Sequence, residues 1–141
     1  MTLDSVLRQR RETTVLEHMT AENAYEFERC IGAFAHPRYE IVATGEIFDG
    51  HDGVHQLLLQ NQTAFPDFHF HPVIIHHADA AVIVEGRFTG THQGDWRGLP
   101  ASGRRLDFAL IIVFVFEGES MVCERTYFDL ATVLRQLGVG G

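Results

Sequence analysis

The chain has 141 residues and a formal net charge of −8, with 45% hydrophobic and 21% charged residues. This length suits one domain, residues 1–141, and the acidic balance disfavours nucleic acid as a partner, because phosphate contacts need a basic face. No apolar stretch approaches the roughly 18 to 20 residues that span a bilayer, and the start of the chain is too polar for a signal peptide. We therefore expect a cytoplasmic protein without a membrane partner.

The aromatic and cysteine content indicates which kinds of site to expect. Eleven phenylalanines indicate a large core or an apolar cavity that takes a hydrophobic small molecule. Cys30 and Cys123 lie far apart and have no CxxC spacing, so the sequence predicts neither a zinc knuckle nor a disulfide framework.

The first half of the chain is predicted to be mainly helical. A first helix is expected from about Ser5 to Met19, and Asn23 is a candidate N-cap for a second helix that ends before Pro37. The second helix is predicted from apolar residues at helical spacing, namely Phe27, Cys30, Ile31 and Phe34. Residues 38–44 predict a strand and residues 45–50 a short extension. Asp52 is a candidate N-cap for a third helix, whose inward residues are predicted to be Val54, Leu57, Leu58 and Phe65.

The second half changes to β-rich segments after Pro66. Residues 67–77, 80–94, 104–118 and 120–130 predict four antiparallel strands joined by turns. A short helix is expected near residues 130–138, with Gly138 at its end. The predicted fold class is α+β, with helices on one face of a curved sheet.

Three segments resemble a known family. Residues 65–70 (FPDFHF), 86–105 (GRFTGTHQGDWRGLPASGRR) and 124–138 (ERTYFDLATVLRQLG) are similar, in this order, to the SnoaL-like polyketide cyclases of the nuclear transport factor 2-like superfamily. The resemblance implies a cone-shaped α+β barrel with an internal pocket, and a homodimer packed through the sheet. It also implies ring-closing aldol chemistry without a metal or other cofactor, although some relatives with this fold only bind ligands.

The resemblance places two proton-handling positions on residues that cannot transfer protons. The cyclases carry an acid/base aspartate at the position of Thr126 and a histidine at the apparent position of Ile111. Epoxide hydrolases of the same fold need that aspartate and an Arg-x-Asp pair, which falls near Gly86 and Phe88, with Arg87 between them.

Glu124 is the candidate replacement for the missing carboxylate. Strand alternation puts Glu124, Thr126 and Phe128 on one face of the strand. Side chains two residues apart on that face are separated by about 7 Å. The sequence therefore predicts that Glu124 is an acid/base group with Thr126 as a hydrogen-bonding neighbour. The alternative is that Glu124 lies at the rim and pairs with an arginine.

The nine histidines are a second signal. His69 and His71 form an HxH pair without an accompanying acid at ligand spacing, so we expect solvated or cavity-wall histidines and no metal. His92 is either a general base tuned near neutral pH or a structural residue that bonds the loop backbone.

Further polar and aromatic residues complete the candidate site. Asp107 shares strand parity with Ile111 and is expected at the pocket mouth, where it is a third catalytic candidate. The other candidates for ligand contact are Asn61, which interrupts the apolar stripe of the third helix, Tyr25 and Tyr39 as pocket or core residues, Trp96 as a lid, and Phe128, His69 and Ile111.

Two functions remain open from the sequence. One is a cofactor-independent cyclase or isomerase that uses Glu124 or His92 with Asp107. The other is a non-catalytic protein that binds a hydrophobic ligand, and an epoxide hydrolase-like enzyme is a weaker alternative. A pure interaction module is disfavoured, because a sheet face for partner contact does not require so many phenylalanines.

Overall fold

A computed structural model describes residues 3–140, which form four helices and one six-stranded sheet. The helices are α1 (Leu3–Asn23), α2 (Phe27–Gly32), α3 (Gly50–Ala64) and α4 (Leu130–Gln136). The strands are β1 (Arg38–Ile41), β2 (Glu46–Asp49), β3 (His69–Ala78), β4 (Ala81–Thr91), β5 (Arg105–Glu117) and β6 (Ser120–Phe128). No described helix is both long enough and apolar enough to cross a membrane.

The sheet has the strand order β2-β1-β6-β5-β4-β3. Every neighbouring pair is antiparallel except β1 and β6, which run parallel and align Tyr39 with Glu124 and Ile41 with Thr126. This curved, mainly antiparallel sheet confirms the predicted α+β class. It also adds one feature to the prediction, because residues 38–49 form two strands that extend the sheet beyond β6.

Alternation along β5 shows which sheet face is the core. The buried residues are Leu106, Phe108, Leu110, Ile112, Phe114 and Phe116. The residues between them are exposed or half-buried and lie on the opposite, outer face. The helices cover the inner face, since α1 contacts β3, β4 and β6 and α3 contacts β1 and β2. The core and any internal cavity therefore lie between this face and the helices.

Arg11 holds α1 against the ends of two hairpins. Its guanidinium donates hydrogen bonds to the carbonyl oxygens of Asp79 (2.8 Å) and Gly118 (2.8 Å). These residues lie in the β3–β4 and β5–β6 turns, and Arg11 is only 5% exposed. A buried guanidinium that bonds two turns fixes the position of α1 over the sheet.

Two helix ends differ from the sequence prediction. Asn23 is the last residue of α1 rather than the N-cap of α2; its side chain instead bonds both the backbone NH (2.8 Å) and the carbonyl oxygen (2.9 Å) of Phe70. Asp49, and not Asp52, precedes α3. The predicted inward residues of α3 are confirmed, because Val54, Leu57 and Leu58 are all buried.

Candidate active site

An internal cavity of about 110 Å³ lies between the inner sheet face and the helices. Its lining is mainly apolar and comes from Tyr39, Ile41, Leu57, Phe65, Phe70, Phe88, Trp96, Leu106, Phe108, Leu110, Ile112, Phe128 and Val133. Its polar lining residues are Glu22, Asn61, Arg97, Glu124 and Thr126. A mainly apolar cavity with a few polar groups is the usual form of a small-molecule site.

Four side chains form a hydrogen-bonded group at this cavity, which we call the buried polar cluster: Glu124, His18 and Tyr39, which are buried, and Glu22, which is half-buried. Nε2 of His18 lies 2.9 Å from Oε1 of Glu124 and 3.1 Å from the Tyr39 hydroxyl. The Tyr39 hydroxyl donates to Oε1 of Glu22 at 2.8 Å. The bonds therefore run without a break from a carboxyl on β6 to a carboxyl on α1.

His18 is the buried cation of this cluster. Its Nδ1 lies 3.0 Å from the carbonyl oxygen of Cys30, which only accepts, so Nδ1 carries a proton. Burial lowers the pKa of His18, but hydrogen bonds with the Cys30 side chain and with Glu124 outweigh burial and hold this pKa well above its usual value. We therefore assign an imidazolium that donates from Nε2 to Glu124.

Glu22 is a carboxyl suited to proton transfer near neutral pH. Burial and the nearby charge of Glu124 raise its pKa from 4.5 to about 7. The charge of His18 and the hydrogen bond from Tyr39 oppose this rise. Tyr39 keeps its own proton, because burial and the two carboxylates raise its pKa well above 10.

The register of β6 places Glu124 and Thr126 as predicted. Glu124 is 4% exposed and Thr126 is 8% exposed, and both line the cavity together with Phe128. Glu124 therefore does not lie at a solvated rim, and its partner is His18 rather than an arginine. Arg125, on the other face, pairs with Glu40.

The predicted register of β5 is wrong by one residue. Ile112, which is opposite Thr126, lines the cavity, whereas Ile111 pairs with Tyr127 and is 41% exposed on the outer face. Asp107 has the same parity as Ile111 and is also on the outer face, where it forms an ion pair with Arg87 (2.7 Å). Neither Ile111 nor Asp107 is therefore at the cavity.

His92 has a structural position. Its ring is 1% exposed, and Nδ1 accepts a hydrogen bond from the Ser102 backbone NH (3.3 Å) and contacts the Ser102 hydroxyl (2.8 Å). His92 also exchanges backbone hydrogen bonds with Gly103 and Arg104. It does not line the cavity. Of the two roles left open by the sequence, the geometry favours a structural residue that bonds the loop over a general base.

Tyr25 and His69 also lie outside the cavity lining. The Tyr25 hydroxyl donates to the carbonyl oxygen of Phe68 at 2.7 Å, so Tyr25 connects the α1–α2 turn to the start of β3. His69 is exposed, with its ring 4.4 Å from the ring of His71. Neither candidate ligand contact is therefore at the cavity. Tyr25 packs against the core, one of its two predicted places. His69 is solvated, one of the two expectations for it, because the start of β3 turns His69 and His71 to solvent.

Asn61 and Trp96 lie where the cavity approaches the surface. An open depression, which we call the outer basin, is lined by Glu46, Asp52, His55, Gln56, Leu59, Gln60, Thr63 and Asp95. The basin and the cavity share four further lining residues: Leu57, Asn61, Trp96 and Arg97. These four form the mouth of the cavity, and the role of Trp96 as a lid stays a prediction.

The sequence prediction missed His18 and Glu22. Both lie on α1 in the stripe Val15, His18, Met19 and Glu22, whose i, i+3, i+4 and i+7 spacing marks the buried face of a helix. Val15, His18 and Met19 are all buried. Two ionisable residues in such a stripe are the signal that could have identified them, because buried charged groups are rare unless they are paired.

Two residues of the cluster and the neighbouring Cys30 have donor atoms at a spacing that suits a metal. The donor atoms of His18, Glu22 and Cys30 all lie within 4.8 Å of one another. However, Nδ1 of His18 is a hydrogen-bond donor to Cys30, and burial raises the pKa of the Cys30 thiol. Because a metal needs a thiolate and a free imidazole lone pair, this arrangement favours a protonated network.

The residues needed for epoxide hydrolysis are not brought together. Arg87, between the two predicted positions, is exposed and paired with Asp107 on the outer face. Phe88 lines the cavity in its place.

Comparisons with known proteins agree with this geometry. The model of the SnoaL-like polyketide cyclase family matches residues 14–137. No curated protein sequence matches the chain significantly.

Solved structures show the same fold at low sequence identity. A candidate polyketide cyclase from Xanthomonas campestris superposes with a TM-score of 0.82 at 16% identity, covering 92% of this chain and 98% of that one. TsrD from Streptomyces laurentii superposes with a TM-score of 0.78 at 23% identity, covering 93% of this chain and 96% of that one. A protein of ketosteroid isomerase-like fold from Catenulispora acidiphila superposes with a TM-score of 0.76 at 17% identity, covering 89% of this chain and 92% of that one. With the family match extending over most of its length, this chain belongs to the SnoaL-like polyketide cyclases.

Proposed function

We propose that the protein is a cofactor-independent cyclase or isomerase that moves protons on a small, mainly apolar carbonyl compound. The observation that carries this proposal is the buried polar cluster at an apolar cavity, in which Glu22 has a pKa of about 7. A general acid or base works best when its pKa is near the working pH. Family membership and fold alone do not give activity.

The size of the cavity limits the reacting part of the ligand. An engineered cavity of about 150 Å³ holds benzene, and this one measures about 110 Å³. A multi-ring polyketide does not fit inside it. The ligand is therefore a single ring or short chain, or a larger molecule whose remaining part occupies the outer basin.

The proposed step is removal of a proton from the carbon next to a carbonyl. The Glu22 carboxylate takes the proton, and the C–H electron pair forms the enolate. In an isomerase, the carboxyl returns that proton to another carbon. In a cyclase, the enolate carbon bonds a second carbonyl carbon, and the resulting alkoxide takes the proton. Both sequences regenerate the carboxylate and need no oxidant or reductant.

The other members of the cluster hold Glu22 in a state suited to this step. His18 and Glu124 form an ion pair whose carboxylate raises the pKa of Glu22. Tyr39 stays protonated and positions the Glu22 carboxyl through its hydroxyl. We propose that this cluster does the work assigned in the ring-closing cyclases to an aspartate at the Thr126 position, with Thr126 as a hydrogen-bonding neighbour of the ligand.

Deuterium exchange into simple ketones tests the proposal, and the natural substrate need not be identified first. Single-ring ketones such as cyclohexanone and phenylacetone are incubated with the protein in D₂O, and loss of the proton next to the carbonyl is followed by NMR. We expect the wild-type protein to accelerate exchange and Glu22→Gln to reduce the acceleration by a factor of about 10² or more. Glu17→Gln removes an exposed carboxyl from the same helix and should leave exchange unchanged.

The same experiment separates the two functions left open by the sequence. A ligand that binds in the cavity, as shown by chemical-shift changes of Phe108 and Phe128, but exchanges at the same rate with and without protein indicates a binding protein. Equal exchange with the wild-type protein and Glu22→Gln also contradicts the proposed role of Glu22.

We also propose that the protein forms a homodimer through the outer sheet face. Four large hydrophobic side chains are exposed there: Val73 (66%), Ile74 (47%), Ile111 (41%) and Tyr127 (42%). They line one shallow groove, and contiguous exposed apolar surface is typical of protein contacts.

A further inference from the structure

The mouth of the cavity contains a tight turn with an arginine in an unfavourable backbone conformation. Trp96 and Leu99 exchange two backbone hydrogen bonds (2.9 and 2.8 Å). The two residues between them, Arg97 and Gly98, have φ values of +52° and +82°. Positive φ at both central positions is typical of type I′ turns, which favour Asn, Asp or Gly at the place taken by Arg97.

An arginine is unfavourable at this backbone position, so the contacts of the Arg97 side chain explain why an arginine is found there. Its guanidinium carbon lies 4.8 Å from the centre of the Trp96 ring, and it forms an ion pair with Glu46 of β2. About a third of the side chain is exposed (32%). A strained residue whose side chain reaches a cavity points to function, because its conformation has to be offset by other contacts.

Arg97 lies between the cavity and the outer basin. It lines both, as does Asn61 of α3, whose amide offers a neutral hydrogen-bond donor and acceptor. Arg97 is also the only basic side chain among the lining residues of the cavity. A ligand whose ring occupies the cavity therefore has this guanidinium beside the part that extends outward.

Glu46 can release Arg97 to a ligand. Its Oε1 also accepts a hydrogen bond from the Thr44 hydroxyl at 2.9 Å, so the carboxylate keeps a partner when the arginine turns away. The guanidinium has five N–H donors in a planar fork that matches a carboxylate. Among residues 3–140, Glu46 is the one anionic partner recorded for it.

We propose that Arg97 is a specificity-determining residue, and that the ligand carries an anionic group, a carboxylate in the simplest case, which displaces Glu46 from Arg97 at the mouth. This inference rests on the proposed function, since it names the substrate class of the same cavity. The apolar part fills the cavity beside the buried polar cluster, and the anionic part stays at the mouth with Arg97 and Asn61.

The other acidic groups of the outer basin, Asp95 and Asp52, already have partners. Asp95 accepts a hydrogen bond from the Gly98 backbone NH at 3.2 Å and so belongs to the turn itself. Asp52 is paired with His51 at 2.9 Å. Within the cavity, Glu124 is paired with His18, and Glu22 accepts a hydrogen bond from the Tyr39 hydroxyl. A cationic ligand would use these carboxylates and is the alternative that the test has to exclude.

Calorimetric titration with matched pairs of small aromatic compounds tests the inference. The anionic probes are phenylacetate and 3-phenylpropionate, and each is compared with its neutral primary amide and with the amine of the same length. We expect the better carboxylate to bind at least about 10-fold more tightly than its amide, because an ion-paired hydrogen bond replaces a neutral one.

Variants at the two ends of the ion pair should have opposite effects. Arg97→Gln should weaken carboxylate binding by about 10-fold or more, whereas Glu46→Gln should strengthen it about 3-fold, because it removes the competing carboxylate. Neither variant should change binding of the amides. Arg97→Gly has the same expected loss of carboxylate binding, and it also removes the backbone strain, so a folding defect does not explain its effect.

An exposed ion pair elsewhere supplies the control. Arg29 and Glu26 lie 3.0 Å apart and are largely solvent-exposed, so Arg29→Gln and Glu26→Gln should leave carboxylate binding unchanged. Equal affinity for acid and amide, tighter binding of the amine, or a weaker carboxylate affinity in Glu46→Gln would each overturn the inference. None of these results bears on deuterium exchange by Glu22, so the proposed function is judged separately.

Discussion

Glu22 and Glu124 are two carboxyls at one cavity with different environments. Glu124 is bonded to the buried imidazole of His18, whereas Glu22 receives a hydrogen bond only from neutral groups. Two nearby carboxyls seldom both carry charge in an apolar site, and Glu22 has no cationic hydrogen-bond partner, so burial and the charge of Glu124 raise its pKa. This difference assigns proton transfer to Glu22 and a supporting role to Glu124.

Replacing Glu124 should change the titration of His18. Without the carboxylate, the buried imidazolium loses its charged partner, so Glu124→Gln should lower the pKa of His18 and destabilise the protein by about 3 kcal/mol. Histidine NMR titration and urea denaturation check the two effects. An unchanged His18 titration in the variant would contradict the assigned ion pair.

Strands β5 and β6 show when a sequence pattern predicts which residues of a strand face the cavity. On β6 the alternation puts Glu124, Thr126 and Phe128 on one face, and the resemblance, which places an acid at the Thr126 position, correctly indicates that this face is the inner one. On β5 the run Ile111–Val115 is apolar on both faces and so carries no phase of its own. Only the resemblance indicates the inward residue there, and its position is displaced by one, which reverses the face.

Helix α1 shows the opposite difficulty. The spacing of Val15, His18, Met19 and Glu22 marks the buried face of the helix, but it does not show which residues the two ionisable side chains contact. The pairing of His18 with Glu124 and of Glu22 with Tyr39 joins residues far apart in the sequence. No local pattern predicts such contacts.

At Gly86, strand β4 lies very close to strand β3 beside the cavity. A Cβ atom there would lie 2.5 Å from the His71 carbonyl oxygen and 2.6 Å from the ring of Phe70, a cavity residue. Gly86→Ala should therefore reduce the free energy of unfolding by about 1–3 kcal/mol, measured by urea denaturation. Gly32→Ala, which meets no atom within 4 Å, is the control, and equal stability of the two variants would contradict the predicted crowding.

At the scale of the whole molecule, Glu22 couples folding to pH. Its pKa rises from 4.5 to about 7 on folding, so the folded state binds this proton more tightly than the unfolded chain does. The stabilisation is fully present below pH 4.5 and is lost as the pH rises to about 7.

The stability difference between the wild-type protein and Glu22→Gln should therefore depend on pH. Relative to the variant, we expect the wild-type free energy of unfolding to fall by up to about 3 kcal/mol over that range. Urea denaturation at a series of pH values measures it. A difference that stays constant with pH would contradict the raised pKa.

The proposed homodimer depends on the exposed apolar residues of the outer sheet face. A charge introduced at its centre, as in Ile111→Lys, should convert a dimer to a monomer with little effect on the inner core, because Ile111 is exposed in the single chain. Light scattering after size-exclusion chromatography gives the mass of each form. A monomeric wild-type protein, or a variant that remains dimeric, would contradict the proposed contact.

The proposed proton transfer by Glu22 depends on the pKa of this residue in the free protein, which NMR can measure. Carbon-13 NMR of the glutamate side-chain carboxyls, with Glu22 assigned from the spectrum of Glu22→Gln, follows its titration without any ligand. We expect a midpoint of about 7. A midpoint near 4.5, the value of an ordinary glutamate, would contradict it.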